Sequence, residues 1–231
     1  MLIHRIKDQL LPFEDNHANK HHYVENISAD KSASYNQSDV IANRLIEQQS
    51  QPLKSAAVLV PLIEHRRENP ERKTNNMALC FDVLLTRRAA HLKHHPSQIS
   101  FPGGRLESID SDLRDTALRE TFEEIGIPAE KIRLLGRLPS QHTTSQFSIT
   151  PFVGVIDKDY SIIPDENEVE EVFTVPLDFI TQESNQELHE DFFNGRKISY
   201  YVIRYKHYNI WGATARILVN FARRITRAND T

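Results

Sequence analysis

The apolar positions fall into short runs separated by charged and turn-forming segments, a rhythm that predicts strands and helices in alternation. Residues 56–63 form an apolar run broken only by Pro61 and predict a buried strand; 77–86 predict a second, bounded by Arg87 and Arg88. Between them, 64–76 is rich in Arg, Glu and Lys and reads as a charged loop. Residues 91–97 are polar and contain Pro96, giving another loop, and 98–101 form a short strand running into Phe101-Pro102-Gly103-Gly104. Ser111 or Asp112 can cap a helix that reaches Ile125, with Gly126 in the stop position and Pro128 behind it. Strands follow at 132–138 and 149–156, parted by a small polar loop at 141–146, and 157–168 is acidic and turn-rich. Residues 172–175 are extended, 176–180 open a small helix, 191–195 turn between strands, and 198–205 alternate with aromatic side chains. Thr214, Ile217, Leu218, Phe221, Ala222 and Ile225 repeat at helical spacing, with Arg223, Arg224 and Arg227 in the last turns, and predict an amphipathic helix. Helices covering one main sheet on both faces make an α/β layered domain over 53–225.

Ahead of that domain the pattern weakens. Ile3, Ile6, Leu10 and Leu11 suit one short amphipathic helix, and Val40, Ile41, Leu45 and Ile46 another that starts at Ser38. Residues 1–50 are therefore an N-terminal extension, partly helical and otherwise disordered or loosely docked. His17, His21 and His22 lie in its polar part and are not read as a metal site. The extension could cover a site, mediate a homodimer, or do neither.

Composition narrows the function classes. A formal net charge of −4 gives no reason to expect a nucleic-acid partner, so an anionic ligand must be held by local basic residues or by a metal. The single cysteine, Cys80, excludes an internal disulfide framework and suits a core position. No signal-peptide pattern and no run of about eighteen apolar residues are present, which predicts a cytoplasmic protein with no membrane partner.

The helix predicted to end at Ile125 carries Glu120, Glu123 and Glu124 on one face, with Leu118, Phe122 and Ile125 expected as its buried stripe. Like charges at this spacing repel by a few tenths of a kcal/mol. On its own such a run is read as a solvated acidic face; a hard dication among the carboxylates would remove the repulsion.

The neighbouring residues decide between the two. Gly104, fourteen residues, Arg119-Glu120, two residues, Glu123-Glu124, Ile125 and Gly126 resemble the Nudix box. Its common form is Gly, five residues, Glu, seven residues, Arg-Glu, an apolar residue, any residue, Glu-Glu, any residue, Gly. Here the spacer is one residue longer, Asp110 or its neighbourhood replaces the first Glu, and Thr121 stands where an aliphatic residue is usual. The longer spacer also resembles the Nudix subfamily that cleaves coenzyme A. So does the upstream stretch Leu84-Leu85-Thr86-Arg87-Arg88-Ala89, Lys93, Ser97 and Phe101-Pro102-Gly103-Gly104. In it Lys93 replaces the subfamily's Arg and Ser97 its Gly; Gln146 likewise occupies a position where these relatives commonly carry Gly. The likeness continues at His142-Thr143-Thr144, at Asn167-Glu168-Val169 and at Trp211-Gly212-Ala213-Thr214-Ala215-Arg216.

The resemblance implies a Nudix fold, an α/β/α sandwich with a central mixed sheet, and metal-dependent cleavage of the diphosphate of coenzyme A or acyl-CoA. It implies Glu120 and Glu124 as Mg²⁺ or Mn²⁺ ligands, Glu123 as a third ligand or a base, and Arg119 as a residue that positions a carboxylate. Glu168 is the favoured additional base among Glu166, Glu168, Glu170 and Glu171. Arg87, Arg88, Lys93 and Arg105 are candidate phosphate contacts, and Gly103 and Gly104 let the backbone approach closely. His91, His94, His95 and His142 are read as loop residues or substrate contacts, since Mg²⁺ prefers oxygen. Two alternatives stay open: cleavage of another nucleoside diphosphate such as ADP-ribose or a dinucleotide, and a Nudix-like nucleotide-binding module without turnover.

Overall fold

In the computed structural model, strand β1 (Lys54–Glu68) is the axis of the main sheet. The structure describes residues 2–13, 53–68, 77–157, 159, 161–193 and 196–227. On one side β1 pairs in parallel with β7 (Phe147–Ile156), which is flanked by β5 (Ile132–Arg137) and β6 (Gln141–His142). On the other it pairs antiparallel with β2 (Met77–Arg88), which carries β3 (Ile99–Ser100) and β8 (Val169–Pro176). The short β4 (Gly103–Arg105) also adds to β1. The sheet is therefore mixed, as expected.

Period-two alternation splits the core cleanly. From β1, Ala57 and Leu59 join Leu84 and Phe152 on one face, where they meet Ala117 and Ile125 of helix α2 (Leu113–Ile125). Val60 and Leu62 join Val83, Leu85, Val153 and Val155 on the other. That second face is packed by α3 (Leu177–Thr181), by α4 (Gly212–Arg227), and by a three-stranded sheet of β9 (Glu187–Phe193), β10 (Arg196–Tyr205) and β11 (Tyr208–Trp211). The six spaced residues from Thr214 to Ile225 are all buried, as their pattern predicts.

Two departures have simple causes. Residues 64–68, expected in a loop, continue β1, because ladder pairing with β2 runs on to Glu68 opposite Met77 and satisfies the backbone of the charged segment. Gln141 and His142, also expected in a loop, pair with Ile149 and Ser148.

The beginning of the chain is docked rather than loose. Helix α1 (Leu2–Asp8) buries Ile6 completely, and Leu11 exchanges two backbone hydrogen bonds with Arg137, at 2.9 and 3.1 Å. Arg137 Nε donates to the Pro12 carbonyl at 2.9 Å, and Arg224 Nη1 of α4 to the Gln9 carbonyl at 3.1 Å. Gly136 makes room: a Cβ there would lie 2.6 Å from Leu10 Cβ. The helix expected from Ser38 and the histidines 17, 21 and 22 lie outside the described residues. Among the described residues no helix is long and apolar enough to cross a membrane.

Candidate active site

Helix α2 starts where Asp112 accepts the amides of Arg114 and Asp115, at 2.7 and 3.1 Å. It stops at Gly126, whose φ of 72° places it in the left-handed region that suits glycine. Its buried face corrects the expected stripe. Thr116, Ala117, Thr121, Glu124 and Ile125 are buried, whereas Phe122 is 55% exposed and Leu118 only partly covered. The cause lies in the turn ahead of the helix: β1 and β4 press against α2, and small residues at 117 and 121 allow that approach. Thr121, unusual for the box, is satisfied internally by donating its hydroxyl to the Ala117 carbonyl at 2.6 Å.

The three glutamates fan out from core to solvent. Glu124 is 3% exposed, Glu120 15% and Glu123 51% as side chains. Gly104 lies directly on Glu120, since a Cβ there would come within 2.3 Å of Glu120 Oε1. Gly103, at φ 152°, is pressed against the Ala57 and Val58 backbone and is sterically required, whereas a side chain at Gly104 would displace the Glu120 carboxylate. Arg119 gathers the acids. It reaches Glu120 Oε1 at 3.0 Å, Glu123 Oε2 at 2.7 Å and Asp110 through two bonds of 2.9 and 3.2 Å.

Asp110 is buried and also accepts the Glu107 amide and the Thr116 hydroxyl, each at 2.9 Å. Its bond to Arg119, with those two, pulls its carboxyl down to about 2 against the cost of burial. The same bond raises Arg119 above its ordinary value. Asp110 thus takes the place of the first box glutamate as the anchor of Arg119, not as a member of the acidic cluster facing the turn.

Burial pushes Glu124 up to about 8, and the like charges of Glu120 and Glu168 add to it. Arg88, with Nη1 3.7 Å from Glu124 Oε1, and the Gly103 amide oppose the shift. Glu120 is raised too, by burial first and then by Glu123 and Glu168, against the pull of Arg119. Glu168, on the exposed turn before β8, is therefore close enough for both acids to feel its charge. Among the described residues no three acidic, imidazole or thiol side chains converge into a ready-made metal cage. A divalent cation nevertheless fits this donor set: Glu124 Oε2 is buried without a hydrogen-bond partner, and the groups around it are hard oxygen donors in mutual repulsion.

The other expected contacts divide by face. Arg88 points to Glu124, while Arg87 binds Glu170 and Glu171 at 3.2 and 3.0 Å. Lys93, His91, His94 and His95 are exposed on the loop after β2, and His142 is exposed on β6. Arg105 is one residue past Gly104 and leaves β4 on the opposite side; its guanidinium lies 5.0 Å from the centre of the Phe147 ring. Sequence reasoning did not single out Phe147 or Tyr208, whose hydroxyl donates to Glu171 Oε1 at 2.5 Å. Both meet their partners only through strand register, which no local pattern reports. Asp110 was accessible through box spacing alone.

The NUDIX domain profile matches residues 69–194. The Nudix hydrolase NudL of Enterobacter sp. (strain 638) is 37% identical over 172 residues, covering 74% of this chain and 83% of the relative. Its Salmonella newport (strain SL254) counterpart is 36% identical over the same coverage. Among solved structures, the MutT protein from Methanosarcina mazei Go1 is similar over 79% of this chain and 99% of its own, with 16% identity and a TM-score of 0.47. A MutT/nudix family protein from Enterococcus faecalis covers 84% of this chain and 70% of its own, with 16% identity and a TM-score of 0.43. On the domain match and the identity to the NudL relatives, the chain belongs to the Nudix family and is a NudL-like Nudix hydrolase.

Proposed function

We propose that the chain hydrolyses the diphosphate bond of coenzyme A or its acyl thioesters, releasing adenosine 3′,5′-bisphosphate and 4′-phosphopantetheine or its acyl form. Glu124 carries the placement of the site: a buried carboxylate with an unpartnered oxygen, crowded by Glu120 and Glu168, is costly to assemble unless a cation is to share it. Glu120 and Glu124 would hold Mg²⁺ or Mn²⁺, with Glu123 as a third ligand. When bound, the dication would draw charge from the diphosphate oxygens and acidify the attacking water.

The chain's own residues position and balance these groups. Arg119, fixed by Asp110, holds Glu120 and Glu123 in orientation. Glu123 or Glu168 takes the proton of the attacking water on a carboxylate oxygen. Arg88 offsets part of the negative charge on Glu124. Lys93, on the exposed loop after β2, is available to the phosphates of a small-molecule substrate. The preference for coenzyme A rests on the stretch from Leu84 to Gly104, which joins the Arg88 end of β2 to the turn on Glu120.

Incubating the purified protein with coenzyme A and Mg²⁺ or Mn²⁺ should release the bisphosphate, and Glu124→Gln should lower turnover by about a hundredfold. Cleavage of ADP-ribose or a dinucleotide without any bisphosphate from coenzyme A would move the substrate to another nucleoside diphosphate. Nucleotide binding without turnover across that panel would leave a binding module instead.

A further inference from the structure

The pairing of β2 with β8 slips between Arg87 and Arg88. Arg87 lies opposite Glu171 and Arg88 opposite Val169, so Glu170 is the extra residue of a β-bulge. Neighbouring side chains on a strand take opposite faces, and the two arginines accordingly part company. Arg88 goes to Glu124, at 3.7 Å. Arg87 goes to the far side of the sheet, where Nη2 reaches Glu170 Oε1 at 3.2 Å and Glu171 Oε2 at 3.0 Å. Glu171 is fixed in turn. Its Oε1 accepts the Tyr208 hydroxyl at 2.5 Å, and the Tyr208 ring stacks on Phe173 of β8 with centroids 3.6 Å apart. Burial, then the bond to Glu171, pushes the phenol up to about 12, so it stays a donor near neutral pH.

An unslipped ladder would set Glu170 opposite Arg88, on the side of Glu124. A carboxylate there would compete for Arg88 and add negative charge beside an acid that is already buried and crowded. The bulge removes both effects. Beyond it Val169 is buried, and the Glu168 carbonyl accepts the Ala89 amide at 2.8 Å. That bond ties the turn carrying Glu168 to the end of β2, next to Arg88.

We propose that Arg87 and Tyr208 are positioning residues: together they hold the Glu170 bulge, which keeps Arg88 on Glu124 and Glu168 beside the carboxylate pair. Arg87 then acts through these groups rather than by touching phosphate. The inference rests on the reading of Glu120 and Glu124 as a cation site, and it extends that site to the second sheet, some strands away from the acids themselves.

Mn²⁺ titration of the full-length chain without substrate tests it, alongside kcat and KM for coenzyme A and a thermal melt. Tyr208→Phe keeps the stacked ring and loses the bond to Glu171; Arg87→Lys keeps the charge and replaces the guanidinium Nη2 that spans Glu170 and Glu171 with an ammonium on a shorter side chain. Both should remain folded, bind Mn²⁺ about tenfold more weakly and lower kcat, with KM changed less than about twofold. Arg87→Lys that raises KM about tenfold while Mn²⁺ affinity holds would overturn the proposal. So would Tyr208→Phe with the Mn²⁺ affinity of the parent. Glu124→Gln separates the two levels of the reading. If it binds Mn²⁺ as the parent does, the cation site is misassigned; if it loses Mn²⁺ while both other variants retain it, only the positioning role fails.

Discussion

At the scale of single residues, Ser97 and Gln146 are informative because each stands where the coenzyme A-cleaving subfamily carries glycine. Both backbones are left-handed, with φ of 57° and 63°. The turn geometry that glycine would supply is therefore kept while the glycine itself is not, and the side chains bear the steric cost. Ser97→Gly should raise stability by about 1 kcal/mol, the αL strain relieved less the entropy glycine loses on folding. Urea unfolding at constant m would detect it as a higher midpoint, and an unchanged or lower midpoint would contradict the strain. The family glycine pattern singled out these two positions in the sequence, but not the left-handed conformation their backbones keep. Nothing local indicated that Phe147 would meet Arg105, or Tyr208 Glu171, since those pairs depend on which strands become neighbours.

Helix α2 shows what periodicity conveys at the scale of an element and where it fails. Its limits, its Asp112 cap and its Gly126 stop were readable, and so was the grouping of three glutamates. Its inward face was not, because a helical wheel sends Phe122 to the interior and carboxylates to water. The Gly103–Gly104 turn instead lies on the carboxylate side, and Glu124 is buried there with a pKa near 8. That burial has a pH signature. The metal-free folded state keeps a proton on Glu124 between the ordinary carboxylate value of 4.5 and about 8, whereas the unfolded chain has lost it. This group's contribution is thus complete below 4.5 and fades as pH rises through 8. With chelator present, the melting temperature should fall across that window, Glu124→Gln should flatten the slope, and saturating Mg²⁺ should flatten it as well. An identical slope in parent and variant would remove Glu124 as its source.

Taken as a whole, the molecule closes on its own beginning. Ile3, Ile6, Leu10 and Leu11 announced an amphipathic start, yet their partners Gly136, Arg137 and Arg224 lie more than a hundred residues away in sequence, and only the folded sheet brings them together. Ile6 is fully buried in the main core, so Ile6→Ala should cost about 2–5 kcal/mol in denaturant unfolding. A change below about 0.5 kcal/mol, the usual range for surface sites, would mean the arm contributes little. The α/β/α layering and the mixed sheet were foreseen by resemblance, whereas this closure was not.

One consequence follows from the anchoring of residues 2–13 on β5 and α4. Phe13 and Leu53, the described residues that flank positions 14–52, both belong to one folded body. Cutting the chain between them would not trim a tail. It would turn an intramolecular contact into a bimolecular one, and the stability of the fold would then depend on protein concentration.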